Sequence, residues 1–171
     1  MKIRFLHVKK EYIDYLKSID NKVQDNYDES EHQKPYISGI KIEINNRLYL
    51  APLTSYKDKY DNIEEKVIFK IVKKYKKREK ENLGVVLLNN MIPLIDGVYS
   101  EINFNNFNDK YKSLLMKQYR VLSGKESITK INKIANDIYN EVNENKNSFF
   151  LKICCNFKLL EEACDQYQEL Q

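Results

Sequence analysis

The stretch that decides the fold is Tyr36-Ile-Ser-Gly-Ile-Lys-Ile-Glu-Ile-Asn-Asn-Arg-Leu-Tyr-Leu-Ala-Pro-Leu53. From Ile40 to Ile44, every second position is a β-branched apolar residue. This period of two predicts a strand with one buried face. Asn45-Asn46 follows, and asparagine tolerates the positive φ that a tight type I′ turn requires. Arg47–Leu53 is then the returning strand, so the stretch predicts a β-hairpin.

Outside the hairpin, hydrophobic spacing predicts strands in the first part of the chain and helices in the second. Strands are predicted over 2–8, 83–88, 91–95 and briefly within 101–107, and helices over 10–22, 108–124, 126–142 and after a cap at Asn156. Residues 66–72 fit either a strand or a basic amphipathic helix, because apolar residues there keep both spacings. The outline is α+β, one domain over 1–171 with a β core at 1–107 and a helix-rich part at 108–171.

Composition excludes several classes of protein. The 171 residues include 42% hydrophobic residues and carry a net charge of only +4, which allows a core but gives no strongly basic average. With 4 glycines there is no glycine-rich nucleotide-binding loop. The 3 cysteines are an odd number without metal-ligand spacing, which is typical of a reducing compartment. With no signal peptide and no membrane-spanning run, the sequence predicts a cytoplasmic protein without a metal or other cofactor.

The end of the second hairpin strand concentrates groups that bind phosphate. Thr54 and Ser55 supply hydroxyl donors and Lys57 supplies a positive charge, directly after an apolar segment. Lys34 lies just before the first hairpin strand, and the outer ends of two strands joined by a tight turn lie close together. These residues are candidates for a site at one end of the hairpin. Ordinary turn chemistry also places polar residues at strand ends, so spacing alone leaves both interpretations open.

A basic run follows the hairpin, and it is interleaved with Phe69 and Tyr75. Its cations are Lys66, Lys70, Lys73, Lys74, Lys76, Lys77 and Arg78. Lysines with neighbouring aromatic rings suit contacts to the phosphates and bases of nucleic acid, although such a run is as often a solvated face. Together with Lys9 and Lys10, the run predicts a basic surface.

The remaining titratable groups give weaker signals. We interpret His7 as a structural residue of the first strand and His32 as an exposed residue of an acidic loop. Nothing in the spacing pairs the two histidines, so a two-histidine ribonuclease is unsupported. The adjacent carboxylates Glu64-Glu65 and Glu161-Glu162 are interpreted as solvated surface, because neighbouring positions do not face each other.

Several motifs together resemble one family, in an order that spans nearly the whole chain. They are Glu11-Tyr-Ile-Asp-Tyr-Leu16, Lys34-Pro-Tyr-Ile with Gly39, Tyr49-Leu-Ala-Pro-Leu-Thr-Ser-Tyr-Lys57, Leu83-Gly84, Asn90-Met-Ile-Pro93, Tyr111-Lys112 with Lys117-Gln118, and Cys155-Asn-Phe157 with Leu159-Leu-Glu-Glu162. The chain resembles the ToxN/AbiQ family, the endoribonuclease toxins of type III toxin–antitoxin systems. The motif ending at Lys57 is long and specific, whereas the helical matches alone are weak.

The resemblance implies a compact, strongly twisted antiparallel sheet with surrounding helices, similar to the Kid/MazF type of toxin fold. It implies metal-independent cleavage of cellular mRNA and of the toxin's own antitoxin precursor, by attack of the 2′-hydroxyl, leaving a 2′,3′-cyclic phosphate. The antitoxin would be a small repeated RNA folded as a pseudoknot and held in a closed toxin–RNA assembly. The physiological role would be growth arrest and abortive infection against phage.

Matched residue by residue, the resemblance implies an active site of Tyr12, Lys34, Thr54, Ser55 and Lys57, with Tyr36 beside it. The chain departs from the family pattern at 58–82, where lysine is dense, and at 124–148, which is longer or more charged. Which group acts as general base stays open. Two alternative functions also stay open: an RNA-binding module without catalysis, and a ribonuclease toxin neutralised by a protein antitoxin.

Overall fold

The computed structural model describes residues 2–24, 38–76, 79–144 and 148–169. Within these ranges the strands are β1 (Phe5–Val8), β2 (Ser38–Ile44), β3 (Arg47–Thr54), β4 (Ile68–Lys74), β5 (Lys80–Leu87), β6 (Ile92–Pro93) and β7 (Tyr99–Glu101). The helices are α1 (Lys10–Ile19), α2 (Asp109–Leu122), α3 (Lys125–Asn143), α4 (Ser148–Ile153) and α5 (Phe157–Glu169). The strands form one sheet in the order β4-β5-β3-β2-β1-β7, with β6 also paired to β3. Every pairing is antiparallel, so the α+β prediction is confirmed.

The predicted hairpin forms the centre of the sheet. Asn45 and Asn46 have φ values of 50° and 63°, as the type I′ turn requires, and Ile44 pairs with Arg47 across them. The strand β3 continues to Thr54, one residue beyond the predicted end. Arg47 donates two hydrogen bonds, of 2.7 and 2.9 Å, to the carboxylate of Asp165, and these attach the turn end of the hairpin to α5.

The basic run begins as a strand, so the helix alternative for residues 66–72 is wrong. β4 pairs with β5 along its whole length. Ile68, Phe69 and Ile71 are buried although successive side chains of a strand point to opposite faces, and a strand in this position needs a neighbouring strand to satisfy its backbone hydrogen bonds. The choice therefore depended on a partner strand rather than on local spacing.

Three element boundaries differ from the predictions for identifiable reasons. α1 ends at Ile19 because the carboxylate of Asp20 accepts hydrogen bonds from the amides of Lys22 (3.0 Å) and Asn156 (2.7 Å). The strand predicted over 91–95 is only Ile92–Pro93, since proline has no N–H to extend a ladder. The strand predicted within 101–107 is instead β7, followed by a 3₁₀ turn over Phe104–Asn106.

The helices pack on the sheet through aromatic residues. Tyr49 of β3 lies edge-on to Tyr139 of α3 and to Phe157 of α5, with ring centroids 6.2 Å apart in both pairs. The Tyr49 hydroxyl donates to the carboxylate of Glu161 in α5, which also accepts from Tyr139 at 3.0 Å. The cap predicted at Asn156 is confirmed, because its side chain accepts from the amide of Leu159 at 3.2 Å. In the part of the chain that the structure describes, no helix has the length and apolar character to cross a membrane.

Candidate active site at one end of the sheet

The sheet register brings the ends of β1 and β3 to the same level. Leu6 of β1 pairs with Gly39 of β2, which pairs with Pro52 of β3. Because β1 and β3 are both antiparallel to β2, they run in the same direction. Two residues further along each strand, Val8 and Thr54 therefore lie at one end of the sheet, about 10 Å apart across the intervening strand position. This end of the sheet also receives the start of α1, which follows Val8 directly.

Thr54 is the last residue of β3, and its position is fixed by β5. It is half-buried and pairs with Val85. The neighbouring residue of β5 is Gly84, with φ of 150°, and a Cβ built there would lie 2.9 Å from the carbonyl oxygen of Thr54. The amide of Gln118 in α2 donates to the carbonyl of Leu83 at 2.8 Å. Only glycine fits this gap, so a close backbone contact supported by α2 holds the end of β3.

Ser55 and Lys57 follow Thr54 on the surface. Both are exposed, and Lys57 has an extended backbone with φ of −135° and ψ of 151°. Within 2–24, 38–76, 79–144 and 148–169, neither side chain makes a hydrogen bond or an ion pair. Their Cα atoms are about 7 Å apart in an extended chain, and the hydroxyl and the ammonium group are both available to a ligand.

A short clamp holds the loop that carries these two residues. Tyr56, between them, donates a 2.6 Å hydrogen bond to Asp61, and this bond raises the pKa of Tyr56 to about 12. Its ring lies edge-on to that of Tyr60, which is buried, with centroids 6.0 Å apart. The Tyr60 amide donates to the carbonyl of Lys57 at 2.9 Å, and Lys70 reaches the Asp61 carbonyl at 3.2 Å. The loop is therefore fixed on the side away from its two exposed polar side chains.

One lysine of the basic run lies beside this site. Thr54 and Lys70 both pair with Val85, from opposite sides, so all three occupy one row on the same face of the sheet. Two strand spacings separate Thr54 from Lys70, which places their Cα atoms about 10 Å apart. Lys70 is half-buried, whereas Lys66 is exposed and forms a 2.5 Å ion pair with Glu64. Among the predicted RNA-contacting lysines, Lys70 is thus placed close to the strand end.

The other predicted basic residues are more dispersed. Lys73 lies over the ring of Tyr75 at 4.4 Å, and Lys74 and Lys76 are exposed at the outer end of the β4–β5 hairpin. Lys9 and Lys10 are exposed at the start of α1, at the same sheet end as Thr54, and Lys10 pairs with Asp14 at 2.6 Å. The remaining predicted residues lie outside the described residues: Lys34, Tyr36, Lys77 and Arg78.

Tyr12 lies apart from the exposed group. It is fully buried, and its hydroxyl donates to the carbonyl of Pro93 at 2.9 Å. Pro93 pairs with Tyr49, five residues before Thr54, which corresponds to roughly 16 Å along the strand. Burial raises the pKa of Tyr12, with a further contribution from Cys164. The phenol therefore keeps its proton and holds α1 against β6.

The described histidine and the three cysteines are shielded from solvent to different degrees. His7 is half-buried in β1, and no described residue bonds its buried Nδ1. The three cysteines are buried, and burial raises the pKa of Cys154 to about 12. No group of three or more His, Cys, Asp or Glu side chains suitable for a metal ion occurs among the residues that the structure describes.

Two contributors to the site were missed by sequence reasoning. The sequence did not indicate that Asp61 holds the loop, because a single aspartate in a lysine-rich loop is ordinary surface composition. Gly84 was noticed only as part of a motif, although an isolated glycine within an apolar strand commonly marks a bulge or a close backbone approach. Together the site offers two hydroxyls, one unpaired ammonium and a nearby half-buried lysine, which is the chemistry that binds a phosphodiester.

Comparison with known proteins places this fold in one class. A solved structure described as selective inhibition of a type III toxin by a non-coding RNA pseudoknot has a TM-score of 0.83 to this chain at 31% identity, covering 99% of both chains. Another, described as a bacterial antiviral system regulated by a processed non-coding RNA, has a TM-score of 0.76 at 31% identity, covering 93% of this chain and 95% of that one. The fold is thus that of toxins of type III toxin–antitoxin systems.

The sequence comparisons identify the family. The family described as "Toxin ToxN, type III toxin-antitoxin system" matches residues 4–165, and the chain belongs to it. Endoribonuclease ToxN of Bacillus thuringiensis subsp. kurstaki is 36% identical over 174 residues, covering 97% of this chain and 84% of that protein. Endoribonuclease ToxN of Pectobacterium atrosepticum is 33% identical over 162 residues, covering 94% and 91%. The resemblance inferred from the motifs is confirmed.

Proposed function

We propose that this protein is an endoribonuclease toxin that cleaves RNA without a metal ion and is inhibited by a small pseudoknot RNA. The observation that carries the proposal is the exposed end of β3, where Ser55 and Lys57 have no partner among the described residues. A hydroxyl donor and an ammonium group presented together by a loop that is fixed by other contacts form a combination that suits a phosphate ligand. Two relatives named endoribonuclease, at 36% and 33% identity, support the reaction class.

The proposed reaction is an in-line transesterification within the RNA strand. The 2′-oxygen forms a bond to phosphorus as its proton passes to a base, and the bond from phosphorus to the 5′-oxygen breaks. The leaving oxygen takes up a proton, which gives a 2′,3′-cyclic phosphate and a 5′-hydroxyl. Neither water nor a metal ion enters this step, and negative charge builds up on the nonbridging phosphate oxygens.

The build-up of negative charge on the phosphate suggests a role for each residue of the site. Lys57 stabilises the charged oxygens, and preorganised electrostatic stabilisation is often the largest contribution to catalysis. The hydroxyls of Thr54 and Ser55 hold the phosphate and orient the 2′-hydroxyl. Lys34, which lies outside the described residues, is proposed as the second cation, since in sequence it stands four residues before Ser38, the first residue of the strand paired with β3. Tyr12 is proposed to act through the position of α1 rather than by touching RNA.

Cleavage in the presence of EDTA tests the reaction. Purified protein, freed of bound RNA by denaturation and refolding, is expected to cut a single-stranded RNA in EDTA at the rate seen without chelator. Because the 2′-oxygen attacks, the products should carry cyclic-phosphate ends, and a 2′-O-methylated substrate should stay intact. Mass spectrometry of the fragments checks both expectations. RNA that is bound but uncut would favour the alternative of a binding module, and cutting only after divalent metal is added would contradict metal independence.

Removing the clamp hydroxyl should slow catalysis without unfolding the protein. Tyr56→Phe deletes the hydrogen bond to Asp61, which is exposed, so we expect the melting temperature to change little. We expect kcat to fall roughly tenfold with KM changed much less, because misplacement of catalytic groups is felt mainly in the transition state. The control is Tyr139→Phe, which removes a 3.0 Å tyrosine–carboxylate bond between α3 and α5 and should leave kcat unchanged. Equal rates for wild type and Tyr56→Phe would exclude the clamp role.

The inhibitor is proposed to be RNA rather than protein. The structure described as toxin inhibition by an RNA pseudoknot belongs to a relative at 31% identity, which supports the same kind of partner here. If so, DNA next to the gene encodes tandem repeats, and one transcribed repeat should abolish cleavage and elute with the toxin as a larger, closed assembly. An adjacent protein-coding gene whose product alone restores growth would support the alternative of a protein antitoxin. Growth arrest that limits phage is the proposed physiological role.

A further inference from the structure

A second groove lies on the side of α2 that faces away from the strand end. Its volume is about 620 Å³. One wall is a stripe of α2 residues at helical spacing, Lys112, Met116, Tyr119 and Arg120. The other wall is the turn over residues 102–105. This volume lies in the range of small-molecule binding sites.

The floor of the groove is aromatic and held from below. Tyr119 is 37% exposed and Met116 is 42% exposed, which is unusual for large apolar residues on a helix that packs its other face into the core. Behind Tyr119 lies the buried ring of Phe5, with centroids 6.4 Å apart, and Phe5 lies edge-on to Phe104 at 5.4 Å. A ring backed in this way is a rigid surface on which a planar group can stack.

The rim of the groove carries positively charged side chains and side-chain amides. The lining residues include two cations and no carboxylate. Lys112 donates to the side-chain oxygen of Asn105 at 2.7 Å, so its position is fixed by a neutral partner and its charge is not cancelled. Arg120 makes no ion pair with any residue of the described ranges. The side-chain NH₂ group of Asn105 remains available as a donor, because the side-chain oxygen of Asn105 is the atom that accepts from Lys112.

We propose that this groove binds one unpaired nucleotide of RNA, with the base stacked on Tyr119 and the adjoining phosphate contacted by Arg120 and Lys112. An aromatic platform beside unneutralised cations is the combination by which proteins hold single-stranded nucleic acid. The proposal rests on the proposed function and deepens it by naming a second point of contact with the same RNA.

The groove is separate from the site of cleavage but connected to it through α2. Gln118 lies on the opposite side of the helix and bonds β5 next to Gly84, which contacts Thr54. A helix is about 10 Å across with its side chains, so the nucleotide in the groove is not the one whose phosphodiester lies at the proposed site. It therefore contributes to RNA affinity and to the choice of cleavage position, not to the chemical step.

Binding of a fully 2′-O-methylated, single-stranded 12-mer RNA tests the proposal, because this probe cannot be cleaved. By fluorescence anisotropy in 0.1 M salt, Arg120→Gln and Tyr119→Leu should each weaken binding about tenfold, and Tyr119→Phe should bind as wild type. Arg120→Gln should also reduce the slope of log K against log salt by about 0.7, the value for one phosphate contact on a single strand, whereas Tyr119→Leu should leave the slope unchanged. Lys110→Gln removes an equal charge from an exposed position of α2 outside the groove, and should alter neither quantity by as much.

Each contrary outcome has a distinct meaning. If wild-type protein cleaves RNA but Arg120→Gln and Tyr119→Leu bind the probe with wild-type affinity and salt slope, the groove proposal fails and the proposed function stands. If wild type neither binds nor cleaves RNA, both fail. If sedimentation shows that the free protein self-associates and that Tyr119→Leu abolishes the association, the groove is an interface between copies of the chain and the nucleotide proposal is overturned.

Discussion

RNA incubated with the Ser55→Ala variant in EDTA is expected to stay intact under conditions in which wild-type protein cuts it. Removing one preorganised donor from a charge-stabilising site typically lowers kcat about 100- to 1,000-fold. The same change should leave the melting temperature within about 2 °C, because Ser55 is exposed and its hydroxyl makes no bond to the described residues. Loss of activity with unchanged stability would therefore be a property of the site and not of the fold. Mapping the product ends and a thermal melt on the same sample measure both quantities.

Matched variants in the same loop make this expectation sharper. Lys57→Ala should lower kcat to a similar extent, whereas Lys59→Ala, two residues away, should change it less than about threefold. The ammonium group of Lys59 lies over the ring of Tyr60, 5.2 Å from its centroid, whereas Lys57 makes no such contact with the described residues. An equal loss for both lysines would mean that only general positive charge is required. Cutting by Ser55→Ala at the wild-type rate would keep the enzyme class but remove Ser55 from the site.

Gly39→Ala is expected to produce the largest loss of stability of any single methyl addition in the described sheet. A Cβ at Gly39 would lie 2.3 Å from the carbonyl oxygen of Ala51 and 2.8 Å from the Cγ of Leu50. The first of these atoms is backbone of the paired strand, so the clash is relieved only by separating β2 from β3. Overpacking that moves backbone costs about 3 kcal/mol, which for a chain of this length lowers the melting temperature by roughly 6 to 12 °C.

Gly124→Ala is the control for the added methyl group. The nearest atom to its Cβ would be the carbonyl oxygen of Val121, at 3.3 Å, in an exposed position before α3. The Gly124→Ala variant should have a free energy of unfolding within about 1 kcal/mol of the wild-type value, because residue changes at a helix N-cap usually have effects of this size. Circular dichroism melts of both variants compare the two directly. Similar melting temperatures for wild type and Gly39→Ala would show that the β2–β3 pairing tolerates the shift.

The hairpin shows why part of the fold was predictable. Its turn, alternation and strand lengths all arise from residues adjacent in sequence, and local geometry allows few alternatives for Asn45-Asn46 between alternating apolar positions. The basic run at 66–72 was ambiguous for the opposite reason. This segment forms a strand because it pairs with β5, and the residues of β5 lie outside the segment whose spacing was ambiguous.

The site divides in the same way. Thr54, Ser55 and Lys57 were identifiable because a strand end, two hydroxyls and a lysine occur within four residues. The burial of Tyr12 against Pro93, the row shared by Lys70 and Thr54, and the bond from Tyr56 to Asp61 were not identifiable. Each of these depends on which strands neighbour each other or on how a loop folds back, and side-chain periodicity carries no information about either.

By itself, the sequence determined the central hairpin, the α+β class, the family, and the strand end that carries the candidate residues. Only the tertiary structure decided that β1 and β3 end at the same level, that Gly84 lets β5 approach Thr54, and that one face of α2 stays uncovered. The physical reason is that local preferences act between residues a few positions apart. The convergence of distant segments is set instead by burying one continuous apolar core and by pairing strands that are far apart in sequence.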